Sequence, residues 1–243
     1  MQFIEKAVEL RGSQVINGKT YKKVVWRRRL MALATFLTLI SIILFVIAIV
    51  LPAWSIIDFI NTSYDHIHVQ LGVWGEWRTV NMSAETAEWI PHFPAPSDRF
   101  HRLAGADLKH YYRAQAAFCI ISLVLMACNN GLALYTFQHH RYMYKRLVAC
   151  FHVVIAMCIV VTIEILLNSV NEWNMEVAMR SIRSDWDYSA SQKTGTPVYI
   201  AWTVVFIYAF AAFCFANASH KQKGSRAATA EFEIEDRPVH IGR

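Results

Sequence analysis

Four apolar runs, Leu30–Leu51, Ala114–Phe137, Leu147–Val170 and Val198–Ala218, decide what this 243-residue chain can fold into. Each is about 20 residues or longer, and at ~1.5 Å of rise per residue each spans a hydrocarbon core of about 30 Å. Lipid offers the backbone no hydrogen bonds, so each run is expected to be a helix that satisfies its own N–H and C=O groups. The composition agrees: 55% of the residues are hydrophobic and only 17% are charged, values of a membrane protein rather than a soluble domain. A cleaved signal peptide does not account for the first run, which begins only at residue 30 and is longer than an h-region of about 7 to 15 residues. It is read as a retained span.

The basic residues orient these spans. Sixteen of the 24 Lys and Arg lie in residues 1–29, in the turn between the second and third runs, and in the tail 219–243; the other eight are divided between loops 53–113 and 171–197. Positive charge is retained on the cytoplasmic side, which predicts both termini and the short turn inside the cell and both longer loops outside it, at the plasma membrane. The formal net charge of +6 is thereby read as a topology signal and not as a nucleic-acid footprint. The cluster Lys22–Arg29 lies where it meets anionic inner-leaflet lipid. The expected organisation is a cytoplasmic segment 1–29, a four-helix membrane domain 30–218 and a disordered cytoplasmic tail 219–243. All five cysteines, Cys119, Cys128, Cys150, Cys158 and Cys214, fall within the runs, so no extracellular disulfide framework is predicted. They read as small buried hydrophobes, with palmitoylation of Cys150 as the alternative.

Pro52 ends the first run, because it has no N–H to continue a helix, and the chain leaves the membrane there. Beyond it Ile67, Val69, Leu71 and Val73 alternate with His66, His68, Gln70 and Gly72, the period of a half-buried strand. Trp54–Ile60 and Trp77–Met82 are expected to flank it, giving a three-stranded antiparallel sheet packed on the helix ends. Pro91, Pro94 and Pro96 break regular structure before Asp107–Arg113 enters the second span. The second loop, with Trp173 and Trp186, is long enough for one strand or a helix extension added to that sheet. A weak helical or strand-like segment is read near Phe3–Leu10. Asn61 and Asn81 head N-glycosylation sequons on the outer side, whereas the triplet at Asn217 lies at the inner end of the fourth run and is expected to be unmodified.

Polar residues inside the spans are few. Thr35, Thr38 and Ser41 can bond back to their own helix. Asn129 and Asn130 are expected to be satisfied by a neighbouring helix, with a permeation role as the alternative. Glu164 is the one intramembrane acid, with Asn168 one turn away; an ion or proton pathway competes with snorkelling or an interhelical hydrogen bond. His152 lies about a third of a turn round from Glu164, which does not favour a shared site. Ala209, Ala212 and Ala216 share one face of the fourth span, where small residues allow close approach. No catalytic pattern is present: no helical HExxH pair, no nucleophile elbow and no paired acids. His66, His68, His92, His101 and His110 share the first loop, yet without Cys or clustered carboxylates they read as ordinary surface histidines, and no metal or cofactor is predicted.

Four spans, a long first loop and a short second one resemble the claudin superfamily, which includes peripheral myelin protein, the epithelial membrane proteins and the calcium-channel gamma subunits. The motif sharpens the likeness. Leu51-Pro52-Ala53-Trp54 looks like the family's first-loop Trp, nineteen residues separate Trp54 from Trp74, and Gly72-Val73-Trp74 looks like its Gly-Leu-Trp. Arg113 matches a basic residue typical of the entry to the second span. The departure is that Trp77 stands where the first motif cysteine would be, and no cysteine follows where the second is expected. Aromatic packing by Trp74, Trp77 and Trp89 would have to replace that disulfide, contributing about 0.5–1.5 kcal/mol beyond burial against about 2–4 for a disulfide. Length, missing cysteines and the tail Glu235–His240 look most like the Clc-like proteins of nematodes. The resemblance implies a left-handed four-helix bundle with a small extracellular antiparallel sheet.

Two functions follow from that resemblance. One is a contact or paracellular barrier protein whose first loop meets copies of itself, or related claudin-like proteins, laterally or across cells. The other is an auxiliary subunit of an ion channel or receptor. The first loop carries seven acids against five bases, a bias toward cations if it lined a pore, although an ordinary solvated surface is the simpler reading. The charged Arg243 at the end is unlike a C-terminal PDZ ligand, which favours the second function.

Overall fold

The computed structural model describes residues 9–10, 14–15, 18–61, 63–81, 87–93, 109–138, 142–183 and 188–219. In chain order the elements are β1 (Glu9–Leu10), β2 (Gln14–Val15), α1 (Gly18–Val50), β3 (Ser55–Ile60), β4 (His66–Leu71), β5 (Gly75–Val80), β6 (Glu88–Pro91), α2 (Lys109–Gln138), α3 (Tyr142–Arg183), β7 (Ala190–Thr194) and α4 (Thr196–Ala218). The four helices are long and apolar enough to cross a membrane. The tail from His220 onward, Trp186, Pro94, Pro96, His101 and the part of Phe3–Leu10 before Glu9 lie outside the described residues.

The helices bury a stripe that recurs at alternating steps of three and four residues. On α1 it is Met31, Ala34, Thr38, Ser41, Phe45 and Ala48; on α4 it is Ala201, Val204, Tyr208, Ala211, Phe215 and Ala218. On α2 it runs Gln115, Cys119, Ser122, Met126, Asn129, Ala133 and Thr136, and on α3 from Val148 through His152, Ile155 and Ile159 to Trp173. A seven-residue repeat is the seam that left-handed packing requires. The small-residue face expected on α4 is therefore displaced. Ala212 is buried, but Ala209 and Ala216 are exposed, because the seam follows Ala201, Ala211 and Ala218 instead.

Two compact units divide the chain, one of residues 1–41, 125–156 and 206–243, the other of 42–124 and 157–205. The first has a core of Met31, Ala34, Ala133, Val148, Ala149, Ala211, Cys214, Phe215 and Ala218. In it the Asn130 side chain accepts from Thr38 Oγ1 at 2.7 Å and donates to Met126 O at 2.9 Å and toward Tyr208 Oη at 3.5 Å. Thr35 and Ser41 bond back to Met31 and Leu37, as their hydroxyls allow.

The second unit holds a five-stranded antiparallel sheet, ordered β6-β5-β4-β3-β7. Three of these strands follow the alternation seen in sequence. The other two do not announce themselves. Strand β7, Ala-Ser-Gln-Lys-Thr, has no apolar alternation and pairs with β3 through its backbone. Strand β6 ends on Pro91, which an edge strand tolerates. The second loop supplies both a strand and a helix extension, since α3 is 42 residues long, about 63 Å at ~1.5 Å per residue and so about twice a hydrocarbon core. Its outer portion backs the sheet: the Trp173 and Phe59 ring centroids are 6.0 Å apart, Tyr188 meets Phe59 at 5.5 Å, and Asn174 donates to Gln192 Oε1 at 3.2 Å.

One glycine in this unit is held by a close approach. A Cβ on Gly195 would lie 1.6 Å from the carbonyl oxygen of Ala53, whereas one on Gly131 of α2 would meet nothing within 4 Å. Gly195→Ala is expected to abolish folded, surface-delivered protein, while Gly131→Ala leaves it intact or gains up to about 1 kcal/mol of helix propensity. Surface delivery of the two variants in cells, with thermal unfolding of purified Gly131→Ala in nanodiscs, checks the contrast.

Candidate functional site

The site begins where α1 ends. In a continuing helix the N–H of residue 52 would bond the carbonyl of Ala48, but residue 52 is proline and has none to offer. The indole of Trp54 supplies the missing donor: its Nε1 donates to Ala48 O at 2.8 Å, and the side chain is wholly buried. Its backbone is engaged as well. Trp54 N donates to Leu71 O at 2.9 Å, and Trp54 O accepts from Gly195 N at 3.0 Å. One residue thus ties the end of α1 to the end of β4 and to the junction between β7 and α4. Gly72 belongs to the same knot, since a Cβ there would approach Pro52 Cα to 2.8 Å.

From this root the sheet has two unlike faces. Ile57, Phe59, Ile67, Val69, Leu71 and Ile90 are buried on the inner face, joined by Glu76, whose carboxylate pairs with Arg78 Nη2 at 3.6 Å. Directly opposed residues share a face, so the register Ile56↔Gln70↔Trp77↔Trp89 defines the outer one. There Trp77 and Trp89 pack at 5.3 Å, both over a third exposed. Beside them His68 Nδ1 bonds Asp58 Oδ1 at 2.5 Å, and His68 Nε2 lies 3.1 Å from Gln70 Nε2. The far tip carries Ile60 and Tyr64, the latter 89% exposed and held at φ 65°. Trp74 follows Gly72 in the turn before β5, where its carbonyl accepts from His92 N at 2.8 Å. The His92 ring stacks on Tyr112 at the start of α2, 3.6 Å between centroids.

A Trp at the root of a first-loop sheet carried by four apolar helices has a counterpart among known proteins. The family model for PMP-22/EMP/MP20/Claudin tight junction proteins matches residues 39–216. The chain belongs to this family. It is a claudin-like, multi-pass membrane protein, and the matched range runs from within α1 to within the last turn of α4 and takes in the whole five-stranded sheet. No individual curated protein matches the chain. The claudin-like motif residues gather only in part: Trp54, Gly72 and Trp74 lie together at the sheet's root, while Arg113 sits exposed in the second turn of α2. Trp77 faces Trp89 squarely across β5 and β6.

The remaining candidates are dispersed. Asn61 and Asn81 flank the same end of the sheet as Asp65: Asn81 Nδ2 donates to Asp65 Oδ1 at 2.9 Å, its Oδ1 accepts from His66 N, and Asn61 N donates to Asp65 O. Glu164 and Asn168 are exposed on α3, whereas Asn129, Asn130 and His152 are buried, so the acid and the histidine do not share a site. Among the described residues no three His, Cys, Asp or Glu side chains are placed to hold a metal ion. All five cysteines are free and lie in helices. The sequence reading did not single out Gly195, Tyr188 or the Asp58–His68 pair. For the last, the signal was available in the strand alternation once β3 and β4 were placed in register.

Replacing Trp54 by Phe keeps a ring but removes the donor to Ala48. A loss of about 1–3 kcal/mol is expected for the orphaned carbonyl, and about 3–5 kcal/mol for Trp54→Ala, both read by thermal unfolding. A second check uses pH. Burial pushes the Tyr188 phenol up to about 12 from its ordinary 10, and its hydroxyl donates to Asn174 Oδ1 at 3.0 Å. Above pH 10 the unfolded phenol ionises while the folded one keeps its proton, so stability is full below pH 10 and falls as pH rises toward 12. The melting temperature is expected to drop over that window less steeply in Tyr188→Phe than in the wild type.

Proposed function

We propose that this claudin-like protein acts at the plasma membrane in cell–cell contact or paracellular barrier structure, with both termini cytoplasmic and the five-stranded sheet held outside. The observation that carries this reading is the outer face of the sheet, where Trp77 and Trp89 stand exposed and the β3–β4 tip presents Ile60 and Tyr64. Exposed apolar groups gathered on one rigid element mark a contact surface. A second copy, laterally or on an opposing cell, is the partner that fits, alongside the lipid bilayer that the helices require. Asp58, Asp65 and Glu76 are engaged by His68, Asn81 and Arg78 respectively, which supports an adhesive face more than a charged pore lining. The cross-strand Trp77–Trp89 pair takes the place of the family's disulfide in fastening β5 to β6. The missing cysteines and the Glu235–His240 tail support placement near the Clc-like branch. Asn61 and Asn81 are proposed as glycosylated.

One observation favours the auxiliary-subunit role. Glu164 and Asn168 lie one turn apart on the exposed side of α3, where a helix of a channel or receptor can meet them.

Expression in a tight epithelial monolayer separates the two. A barrier protein concentrates at cell–cell borders and changes transepithelial conductance, an effect that Tyr64→Ala at the exposed tip removes without loss of surface delivery. Unchanged conductance despite delivery to the surface, together with co-purification of a channel that Glu164→Leu disrupts, assigns the auxiliary role instead.

A further inference from the structure

The buried polar groups of the first unit include one set that the contact surface does not use. Thr38 of α1, Asn129 and Asn130 of α2, His152 of α3 and Tyr208 of α4 are each at least nine-tenths buried, and every helix contributes to the set. Thr38 falls near the middle of the apolar run of α1 and Tyr208 near the middle of α4, a depth from which no side chain reaches the headgroups. Half of the set is self-sufficient, since Asn130 is held by Thr38, Met126 O and Tyr208.

The other half is not. His152 Nδ1 lies 2.7 Å from Val148 O, and a carbonyl only accepts, so Nδ1 carries the proton and Nε2 of the neutral ring is a bare acceptor. Among the described residues Nε2 has no hydrogen-bonding partner, and neither does Asn129 Oδ1 or Asn129 Nδ2. Both residues are 1% exposed. Their positions on the two helices put them at one level. Ala133 of α2 packs in one cluster with Val148 of α3, and in this antiparallel pair Asn129 lies one turn from Ala133 and His152 one turn from Val148, in the same direction. The His152 ring is 5.4 Å from that of Tyr208, which joins this pair to the satisfied half.

We propose that Asn129 and His152 form a buried water-binding site within the membrane-spanning part of α2 and α3, in which bound water donates to His152 Nε2 and accepts from Asn129 Nδ2. The donor set asks for that ligand. Nε2 requires a donor and the amide requires both a donor and an acceptor. A water molecule supplies both roles and is the commonest partner of buried polar groups that the protein leaves unpaired. A cation is disfavoured because no carboxylate lies within the set, and an anion because no cationic group does. The water holds α2 to α3 at this level, as the direct bonds of Asn130 hold α2 to α1 and α4.

Nuclear magnetic resonance on the full-length protein in nanodiscs tests this. With ¹⁵N-labelled histidine, the His152 ring is expected to be neutral with the proton on Nδ1 and to receive magnetisation from water at Nε2. In Asn129→Leu that transfer falls to background. Protonation at Nε2, or a direct Asn129 Nδ2–His152 Nε2 coupling without transfer from water, overturns the proposal. Should Asn129→Leu not fold, the wild-type spectrum decides alone, since transfer to Nε2 either is or is not present.

Discussion

A proline deletes one hydrogen bond, and a tryptophan two residues later restores it. Pro52 stops α1 and strands the Ala48 carbonyl at a depth where water is scarce, and Trp54 Nε1 reaches back to it. The same repair turns the chain. With its indole buried beneath the sheet, the Trp54 backbone is left to bond β4 on one side and Gly195 on the other. Helix termination, strand initiation and the docking of α4 therefore share a single residue, and Gly72 and Gly195 each lie too close to its neighbours Pro52 and Ala53 to carry a side chain.

The sheet that grows from this point separates its tasks by face. The inner face buries Ile57, Phe59, Val69 and Leu71, with the α3 extension supplying Trp173 and Val177 within the same unit. Area removed from water there holds the sheet in place. The outer face carries no such burden: it presents a tryptophan pair, a histidine bonded to an aspartate, and an aromatic tip. Claudin-like proteins with a disulfide fasten this region covalently. Here Trp77 and Trp89 pack across β5 and β6 without a covalent link.

Much of this was legible beforehand. Apolar run length revealed four spans, Pro52 the first exit and period-two alternation the strand at His66–Leu71. The second loop reads as one strand or a helix extension; the structure has both, and each carries only a weak local signal. Strand β7 is polar after Ala190 and exists because β3 offers it an edge. The α3 extension passes through Asn171, Glu172 and Asn174, residues that read as loop until Trp173 and Val177 are seen buried. The buried face of α4 was assigned to Ala209, Ala212 and Ala216 from residue size alone. Position in a seven-residue seam outweighed size, and two of the three turned outward.

By itself, the sequence determined the number of membrane crossings, where the first one ends and which family motif follows, because hydrophobicity, proline chemistry and strand alternation act over neighbouring residues. Only the tertiary structure decided what Trp54 bonds, which asparagine of the Asn129–Asn130 pair is satisfied, and that five strands form where three were visible. Each of those depends on a partner distant in the chain: Leu71 and Gly195 for the tryptophan, Thr38 and Tyr208 for Asn130, β3 for the strand from the second loop. A hydrogen bond is set by where its two ends meet in space, and no local pattern records that meeting.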